Sequence, residues 1–433
     1  MTFSYNHTIK TFYSQFLLSF KNFFGPTTKM IGVFAGGNFL ASAISGISGI
    51  LYSRWIGPEE LGEFSKYGIL TGYLGIGLII VHGALPRQYP YLLGQGDIDE
   101  ARSISAAAKW WYLIFTWIGT AIFAVLAICS LFAEDYRALF GWLAQIPALW
   151  MAIYGLYLQT MYRSNSDFVK LSNNQVITSV SAFLMLIFVK FFAYWGFLGR
   201  FFTQGLINVY VHRRFNPAKV KAKFDLNRLK KLAIMSLPLS VPAYIDTYLL
   251  NSTISFFILN YLGERDLGIY AWALMLQGML MILVRAIHQI YVTKITIKYG
   301  ETNSLLECFN FSLKPTALSV GASIVLAIVF HFTIAPFIEL VAPRYIGSIP
   351  VIRILIWQMP LFASGLGLIV MTSALWYKEL IGMRLAKTVL CLGIILLLPR
   401  NVNGVASGII LSDLFYYLLG YGILIRRLKL NKV

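Results

Sequence analysis

Three side chains that could bind an anion lie within long apolar stretches of the chain: Arg285, His288 and His82. A guanidinium can donate two parallel hydrogen bonds to a phosphate, and imidazole nitrogens can also donate. A charge at the centre of a bilayer costs about 2.5–3.5 kcal/mol, which disfavours a lipid-facing Arg285. His288 follows one helical turn later on the same face. These residues predict an anion site, with an ion pair between Arg285 and a buried acid such as Asp246 as the structural alternative.

Three other arginines lie near the predicted ends of apolar spans. Arg54 precedes the turn after the first span, Arg87 follows Pro86 at the end of the second, and Arg353 begins the tenth. Each could bind the same anion as it enters or leaves the protein. The structural alternative is that they anchor the chain at the membrane interface, where long basic side chains reach towards water.

Two acids, Asp246 and Asp413, lie clearly within spans. A carboxylate inside the membrane is a default candidate for a proton or sodium site, so we predict that these two are ion-coupling residues that bind H⁺ or Na⁺. Pro238 and Pro242 interrupt the span that carries Asp246, because proline removes a backbone hydrogen bond, and we predict a hinge there. No metal site or other cofactor is expected.

The composition identifies the solvent in which these residues must act. Of the 433 residues, 58% are hydrophobic and 12% are charged, whereas soluble proteins are about 25% charged. The net charge of +18 could indicate nucleic-acid binding. The basic residues lie between apolar spans, however, which is typical of membrane proteins. We therefore expect membrane lipids and no nucleic acid as partners.

Stretches long enough to cross a bilayer recur along the chain, about twelve in all. They lie at about 30–53, 65–84, 110–132, 140–161, 174–193, 195–212, 232–258, 268–291, 315–338, 350–374, 381–399 and 404–425.

The basic residues also predict the orientation and the domains. Most lysines and arginines fall in segments on the same side of the membrane as the N-terminus, which predicts that both termini lie in the cytoplasm. Residues 1–29 form an interfacial amphipathic helix, 30–212 the first lobe, 213–231 a basic cytoplasmic linker, 232–425 the second lobe and 426–433 a cytoplasmic tail.

The two predicted lobes share an internal repeat with an offset of 206 residues. Glycines, acids, a leucine and an aromatic residue recur in register between 56–64 and 262–270, and the offset also pairs the two histidines. Six spans separate the copies, so the halves share one orientation and are related by an axis along the membrane normal. The paired positions include Gly57 and Gly263, Gly62 and Gly268, His82 and His288, and Gly94 and Gly300.

These repeats also resemble a known family. Residues 55–64, WIGPEELGEF, look like the turn between the first two helices of the Wzx-type polysaccharide flippases, which belong to the multidrug/oligosaccharidyl-lipid/polysaccharide exporter (MOP) superfamily. Residues 232–238 and 259–270 are similar to the start of that family's second half. The resemblance implies an all-α protein with two six-helix lobes in a V shape around a central, cationic cavity. It covers the whole chain in span number, and its motifs only around 50–100 and 225–300.

The resemblance further implies a function and partners. The cargo would be an undecaprenyl-diphosphate-linked oligosaccharide, such as an O-antigen unit, moved by alternating access across a bacterial inner membrane. We expect a monomer that works beside a polysaccharide polymerase and chain-length machinery. The alternatives are a multidrug or cation exporter of the same superfamily, a membrane glycan-modifying enzyme or polymerase, and a structural scaffold. An enzyme is disfavoured because no nucleophile–base pair or long external loop is found.

Overall fold

The computed structural model describes residues 26–302, 304–374, 376–398 and 400–430. Within these ranges the regular elements are all helices. In the described part of the chain, nine continuous helical stretches, several of them made of consecutive shorter helices, are long and apolar enough to cross a membrane, by length and composition. The structure thus confirms the prediction of an all-helical protein that crosses the membrane many times. The predicted amphipathic helix lies almost wholly outside the described residues.

The first half of the chain forms six passes, α1 to α6. Most are continuous, but α2 and α4 are each built from two helices. Their helices are α1, Pro26–Tyr52; α2, Pro58–Leu74 and Leu85–Gly94 with a 3-10 segment Gly75–Ile80 between them; α3, Ile98–Phe132; α4, Tyr136–Ala152 and Tyr154–Ser164; α5, starting as Phe168–Leu184; and Leu186–Arg214, which completes α5 and forms α6.

The helix Leu186–Arg214 changes direction at Ala193, whose backbone is non-helical (φ 45°, ψ −120°). A Cβ on Gly196 would stand only 2.0 Å from the carbonyl oxygen of Phe188, which is impossible in one straight helix because the two residues would be about 12 Å apart. The residues before Ala193 therefore continue α5, and those after it form α6. This position agrees with the predicted boundary between the fifth and sixth spans.

The second half repeats the arrangement with passes α7 to α12. Its helices are α7, Leu226–Tyr244 and Leu250–Tyr261 with a π-helical segment Ile245–Leu249 between them; α8, Glu264–Leu280 and Ile282–Thr302; α9, Leu305–Val341; α10, Ile349–Leu355, Gln358–Ser364 and Ile369–Ser373 with 3-10 segments Pro343–Ser348 and Gly365–Leu368; α11, Tyr377–Leu397; and α12, Val402–Leu430. Residues 215–225 link the halves.

We call the side with this linker the linker end, and the side with the short turns at 53–57 and 262–263 the turn end. At the turn end, α2 and α8 touch through their backbones. A Cβ on Gly62 would stand 1.6 Å from the carbonyl oxygen of Glu264, and one on Gly268 would stand 1.8 Å from that of Pro58. Both pairs of positions are related by the repeat offset. The contact is therefore reciprocal, as a pseudo-two-fold axis between the halves requires.

Other contacts reinforce this closure of the turn end. Lys66 of α2 pairs with Glu264 of α8 at 2.6 Å, and the Tyr345 hydroxyl donates to the carbonyl oxygen of Ile56 at 3.2 Å. Gly46 and Gly49 of α1 make room for Met279 and Met275 of α8. These glycines thus allow close helix packing, as small residues commonly do in membranes.

The breaks within α2 and α8 also follow the repeat, because Gly75 and Met281 are separated by the same offset. In α2, the free backbone groups find partners on other helices. Trp111 donates its indole N–H to the Gly77 carbonyl oxygen at 2.7 Å. Ser236 of α7 accepts from the Gly83 N–H at 2.9 Å and donates to the Ile79 carbonyl oxygen at 2.7 Å. Since lipid offers no partners, these bonds make the break possible.

The reciprocal glycine contact makes a direct prediction. Gly268→Ala places a methyl group against the rigid backbone of Pro58, so we expect a loss of about 1–3 kcal/mol of stability and a lower Tm of the purified protein. Gly278→Ala in the same helix meets nothing within 4 Å and should leave the Tm unchanged or slightly raised. Equal Tm values for the Gly268→Ala variant and the wild type would contradict the close approach of α2 and α8.

Candidate functional site

The strongest group of charges inside the second half joins α7, α11 and α12. The ammonium of Lys387 lies between two carboxylates, 2.6 Å from Asp246 Oδ1 and 2.7 Å from Asp413 Oδ1. Arg384, one turn earlier on α11, pairs with the other oxygen of Asp246 at 2.9 Å. We call these four residues the ion cluster. Two acids and two bases make it neutral overall.

The broken helix α7 positions Asp246 in the cluster. Asp246 lies in the π-helical segment Ile245–Leu249, four residues after Pro242. A π-helical turn and a proline both free backbone groups from the regular ladder. Arg384 donates to the Pro242 carbonyl oxygen at 3.3 Å as well as to Asp246. Pro238 and Pro242 themselves lie within the regular helix Leu226–Tyr244, which ends just before this π-helical segment. Their role as a hinge stays a prediction.

Amide side chains extend the ion cluster to two further helices. Gln358 of α10 donates to Asp413 Oδ2 at 2.5 Å. Gln277 of α8 donates to the side-chain oxygen of Gln358 and, at 3.2 Å, to the carbonyl oxygen of Leu355. Asp413 itself is only 3% exposed. Every oxygen of this buried carboxylate thus has a charged or amide partner, as a buried charge requires.

Removal of Lys387 should show how much the buried carboxylate of Asp413 lowers the stability of the protein when its cation is missing. Lys387→Met leaves Asp413 without its cation, and breaking a buried ion pair costs about 3–5 kcal/mol. We therefore expect a large fall in the Tm of the purified protein.

The double variant Lys387→Met with Asp413→Asn removes both charges and should recover a large part of that loss. Lys294→Met, which removes an exposed lysine from α8, is the control and should leave the Tm near that of the wild type. If the single and double variants lost the same stability, Lys387 and Asp413 would not be energetically coupled.

Arg285 and His288 lie on the second helix of α8, after the break at Met281. The Arg285 side chain is exposed, although the surrounding protein partly desolvates it. Within the described ranges it has no carboxylate partner, and Asp246 is engaged by Arg384 and Lys387 instead. The predicted structural alternative, a pair between Arg285 and Asp246, is therefore not the arrangement found. His288 is half-buried, with its ring 4.9 Å from that of Phe362.

His82 lies at the matching break in α2 and is half-buried. Its Nδ1 is 3.0 Å from the hydroxyl of Tyr112 on α3. The charge of Arg163, at the end of α4, acts on the His82 ring. Arg163 is also exposed yet partly desolvated by the protein, and no acid pairs with it among the described residues. His82 therefore lies at the helix break of the first half, whereas its repeat partner His288 lies about two turns after the break in α8. The arginine near each histidine has no carboxylate partner among the described residues.

The other predicted arginines contact backbone or hydroxyl oxygens near the ends of the bundle. Arg54 donates to the Val341 carbonyl oxygen at 3.2 Å, and Arg353 donates to that of His331 at 3.1 Å. Arg87 reaches the Tyr377 hydroxyl at 3.4 Å, at the linker end. The structure does not gather these three with Arg285 into one cluster of side-chain contacts. Their role in cargo binding stays a prediction.

Sequence reasoning missed several residues of this site. Arg384 and Lys387 both fall inside the predicted eleventh span, 381–399. Their spacing of three residues, which puts them on one helix face, was the available signal. Arg163 lies two residues after the predicted fourth span, 140–161. Gln277 and Gln358 carried no signal, because an amide in an apolar span has no pattern that identifies its partner.

Comparison with known proteins identifies the fold but not a family. No protein-family model matches the chain, and no curated protein matches it. Solved structures do match. An inward-facing multidrug-resistance MATE transporter of the MOP superfamily is 16% identical, with a TM-score of 0.67 over 91% of this chain and 95% of that chain.

Two further structures agree. The outward-facing form of a MATE transporter is 15% identical, with a TM-score of 0.63 over 93% of this chain and 96% of that one. The lipid II flippase MurJ in an inward closed conformation is 12% identical, with a TM-score of 0.67 over 90% of this chain and 87% of that one. The chain therefore has the two-lobed helical fold of MOP superfamily transporters, and this confirms the predicted fold class.

Proposed function

We propose that the protein is a flippase that moves a phosphate-bearing glycolipid, an undecaprenyl-diphosphate-linked oligosaccharide, between membrane leaflets. The observation that carries the proposal is the balance of charges on the helices. Asp246 and Asp413 are neutralised within the ion cluster, whereas Arg285 of α8 and Arg163, at the linker end of α4, have no acid partner among the described residues. The positive charge left over favours an anionic cargo.

A lipid-linked diphosphate needs such a path because its head group cannot cross hydrocarbon unaided. The arginine fork can donate two hydrogen bonds to a phosphate oxygen pair. His82 and His288, placed at repeat-related positions, would add donors from both halves. The lipid tail would remain in the bilayer while the head group passes between the halves. Arg54, Arg87 and Arg353 are proposed contacts on the way in and out.

The closed turn end supports alternating access. At that end, α2 and α8 touch through their backbones at Gly62 and Gly268. The cargo would therefore enter from the linker end. We propose that this end faces the cytoplasm of a bacterial inner membrane, with both termini inside, because the linker is strongly basic. The domain boundaries predicted above, action as a monomer, and the polymerase and chain-length partners belong to the same proposal.

A cation or multidrug exporter is the main alternative. It would need carboxylates that are free to bind a positively charged substrate, but both acids of the ion cluster are already paired with lysine or arginine. An enzyme remains disfavoured, because the intramembrane charges are arranged as ion pairs and single arginines. The flippase proposal therefore accounts for more of the observed charges.

Replacement of Arg285 tests the proposal. In liposomes that hold labelled lipid-linked oligosaccharide, Arg285→Ala should slow movement between leaflets about tenfold to hundredfold, the loss expected for one charged hydrogen-bond donor. Arg285→Lys should recover only part of the rate, because lysine lacks the planar fork. Lys294→Ala removes an exposed charge from the same helix and is the matched control. A wild-type rate in the Arg285→Ala variant would defeat this role for Arg285.

We also propose that transport is coupled to H⁺ rather than to Na⁺. The Lys387 ammonium already fills the space between Asp246 and Asp413, so Na⁺ would have to displace it. In the same liposomes an imposed pH gradient should accelerate flipping, and a Na⁺ gradient at constant pH should not. Acceleration by Na⁺ alone would contradict this proposal and would leave the flippase proposal intact.

A further inference from the structure

A second basic site lies at the linker end of the first half, away from the residues discussed above. A cavity of about 300 Å³ is bounded by the parts of α3 and α4 nearest the linker end, the end of α6 and the linker itself. Its charged and polar lining consists of Lys109, Arg213, Asn216, Lys219, Lys221 and the tyrosines 154 and 157. Among the described residues that line it, none is acidic.

Hydrogen bonds to α3 and α4 hold the linker in place. Lys109 donates to the Val220 carbonyl oxygen at 2.6 Å, and the Lys223 N–H donates to the Ala106 carbonyl oxygen at 3.2 Å. Asn216 donates its amide to the Leu158 carbonyl oxygen at 3.3 Å. These bonds fix the linker against α3 and α4. The fold of the linker against these helices therefore forms the cavity and places its basic side chains close together.

The charges in the cavity repel one another. Arg213 lies close enough to act electrostatically on both Lys109 and Tyr154. Two acids at the adjoining helix starts are already engaged by another cation, because Arg228 pairs with Glu100 at 2.8 Å and with Asp225 at 2.5 Å. Hydrogen bonds from the backbone and side chain of Arg228 also lower the pKa of Asp225. Four cations thus share one hollow without an acid among its lining residues.

We propose that this cavity binds a phosphate-bearing anion. Lysine and arginine donate charge-assisted hydrogen bonds to phosphate oxygens, and the Tyr154 hydroxyl adds a neutral donor. The site lies where helices leave the apolar part of the bundle, so the phosphate can come from an anionic lipid head group or from free phosphate. The proposal does not depend on the flippase function, because none of its residues belongs to the transport site.

Two triple variants test the proposal. The cavity variant is Arg213→Gln, Lys219→Gln and Lys221→Gln, which spares Lys109 because that side chain holds the linker. The control variant is Arg214→Gln, Lys230→Gln and Lys231→Gln. These residues are exposed, lie on or beside the same linker and do not line the cavity. Both variants lose the same charge from the same side of the protein.

The probes are dihexanoylphosphatidylglycerol, dihexanoylphosphatidylcholine and inorganic phosphate, titrated against the purified full-length protein while its Tm is followed. We expect phosphatidylglycerol or phosphate to raise the wild-type Tm in a saturable way. The apparent Kd of that probe should rise at least about tenfold in the cavity variant and less than about twofold in the control. Phosphatidylcholine should have little effect.

The identity of the active probe decides the source. A response to phosphatidylglycerol alone identifies a lipid head group, and a response to inorganic phosphate identifies a free anion. The proposal is overturned if neither probe raises the wild-type Tm, or if the two variants weaken binding equally, which would indicate a diffuse surface charge. Equal effects of phosphatidylcholine and phosphatidylglycerol would also overturn it. Flipping rates are not needed for any of these outcomes, so failure here leaves the proposed function untouched.

Discussion

Inside a bilayer the protein itself must satisfy each buried charge and each broken backbone hydrogen bond, because lipid offers no partners. The buried carboxylate of Asp413 is acceptable only because Lys387 and Gln358 surround it. The interruption of α2 is acceptable only because Ser236 and Trp111 bind its free backbone groups. The helices that carry these partners are thereby fixed relative to one another. This requirement, more than helix propensity, determines which helices of the bundle are neighbours.

The duplication adds a second constraint, because repeat-related residues must meet around one axis. Gly62 and Gly268 meet in this way, each against the backbone of the other half. A side chain at either position would collide with a carbonyl oxygen, which has no freedom to move aside. The two helix breaks, at Gly75 and Met281, also obey the repeat. Both halves are therefore interrupted at equivalent depths.

The sequence predicted the helices and the repeat, but not which charges would pair. Span positions follow from runs of apolar residues, and the reversal near Ala193 was found because the aromatic and glycine residues after it interrupt the run. The pairing of Lys387 with both Asp246 and Asp413 depends on how α7, α11 and α12 pack, and no local pattern encodes this. The prolines of α7 predicted an interruption of that helix. The interruption of α2, a 3-10 segment that contains glycines and no proline, was not predicted.

The contacts within the second half and those between the halves differ in what their separation would cost. Within the second half, Lys387 and Asp413 are 11% and 5% exposed as side chains, and separating such a pair is costly. Between the halves, Lys66 and Glu264 are 28% and 41% exposed, and exposed pairs contribute about 0–1 kcal/mol. The rest of the turn end is closed by backbone van der Waals contact between α2 and α8 and by hydrogen bonds to carbonyl oxygens, such as that from Tyr345 to Ile56. Separating these contacts uncovers no buried charge, whereas opening the ion cluster would. Under the proposed alternating access, the halves would therefore part at the glycine contact rather than within the second half.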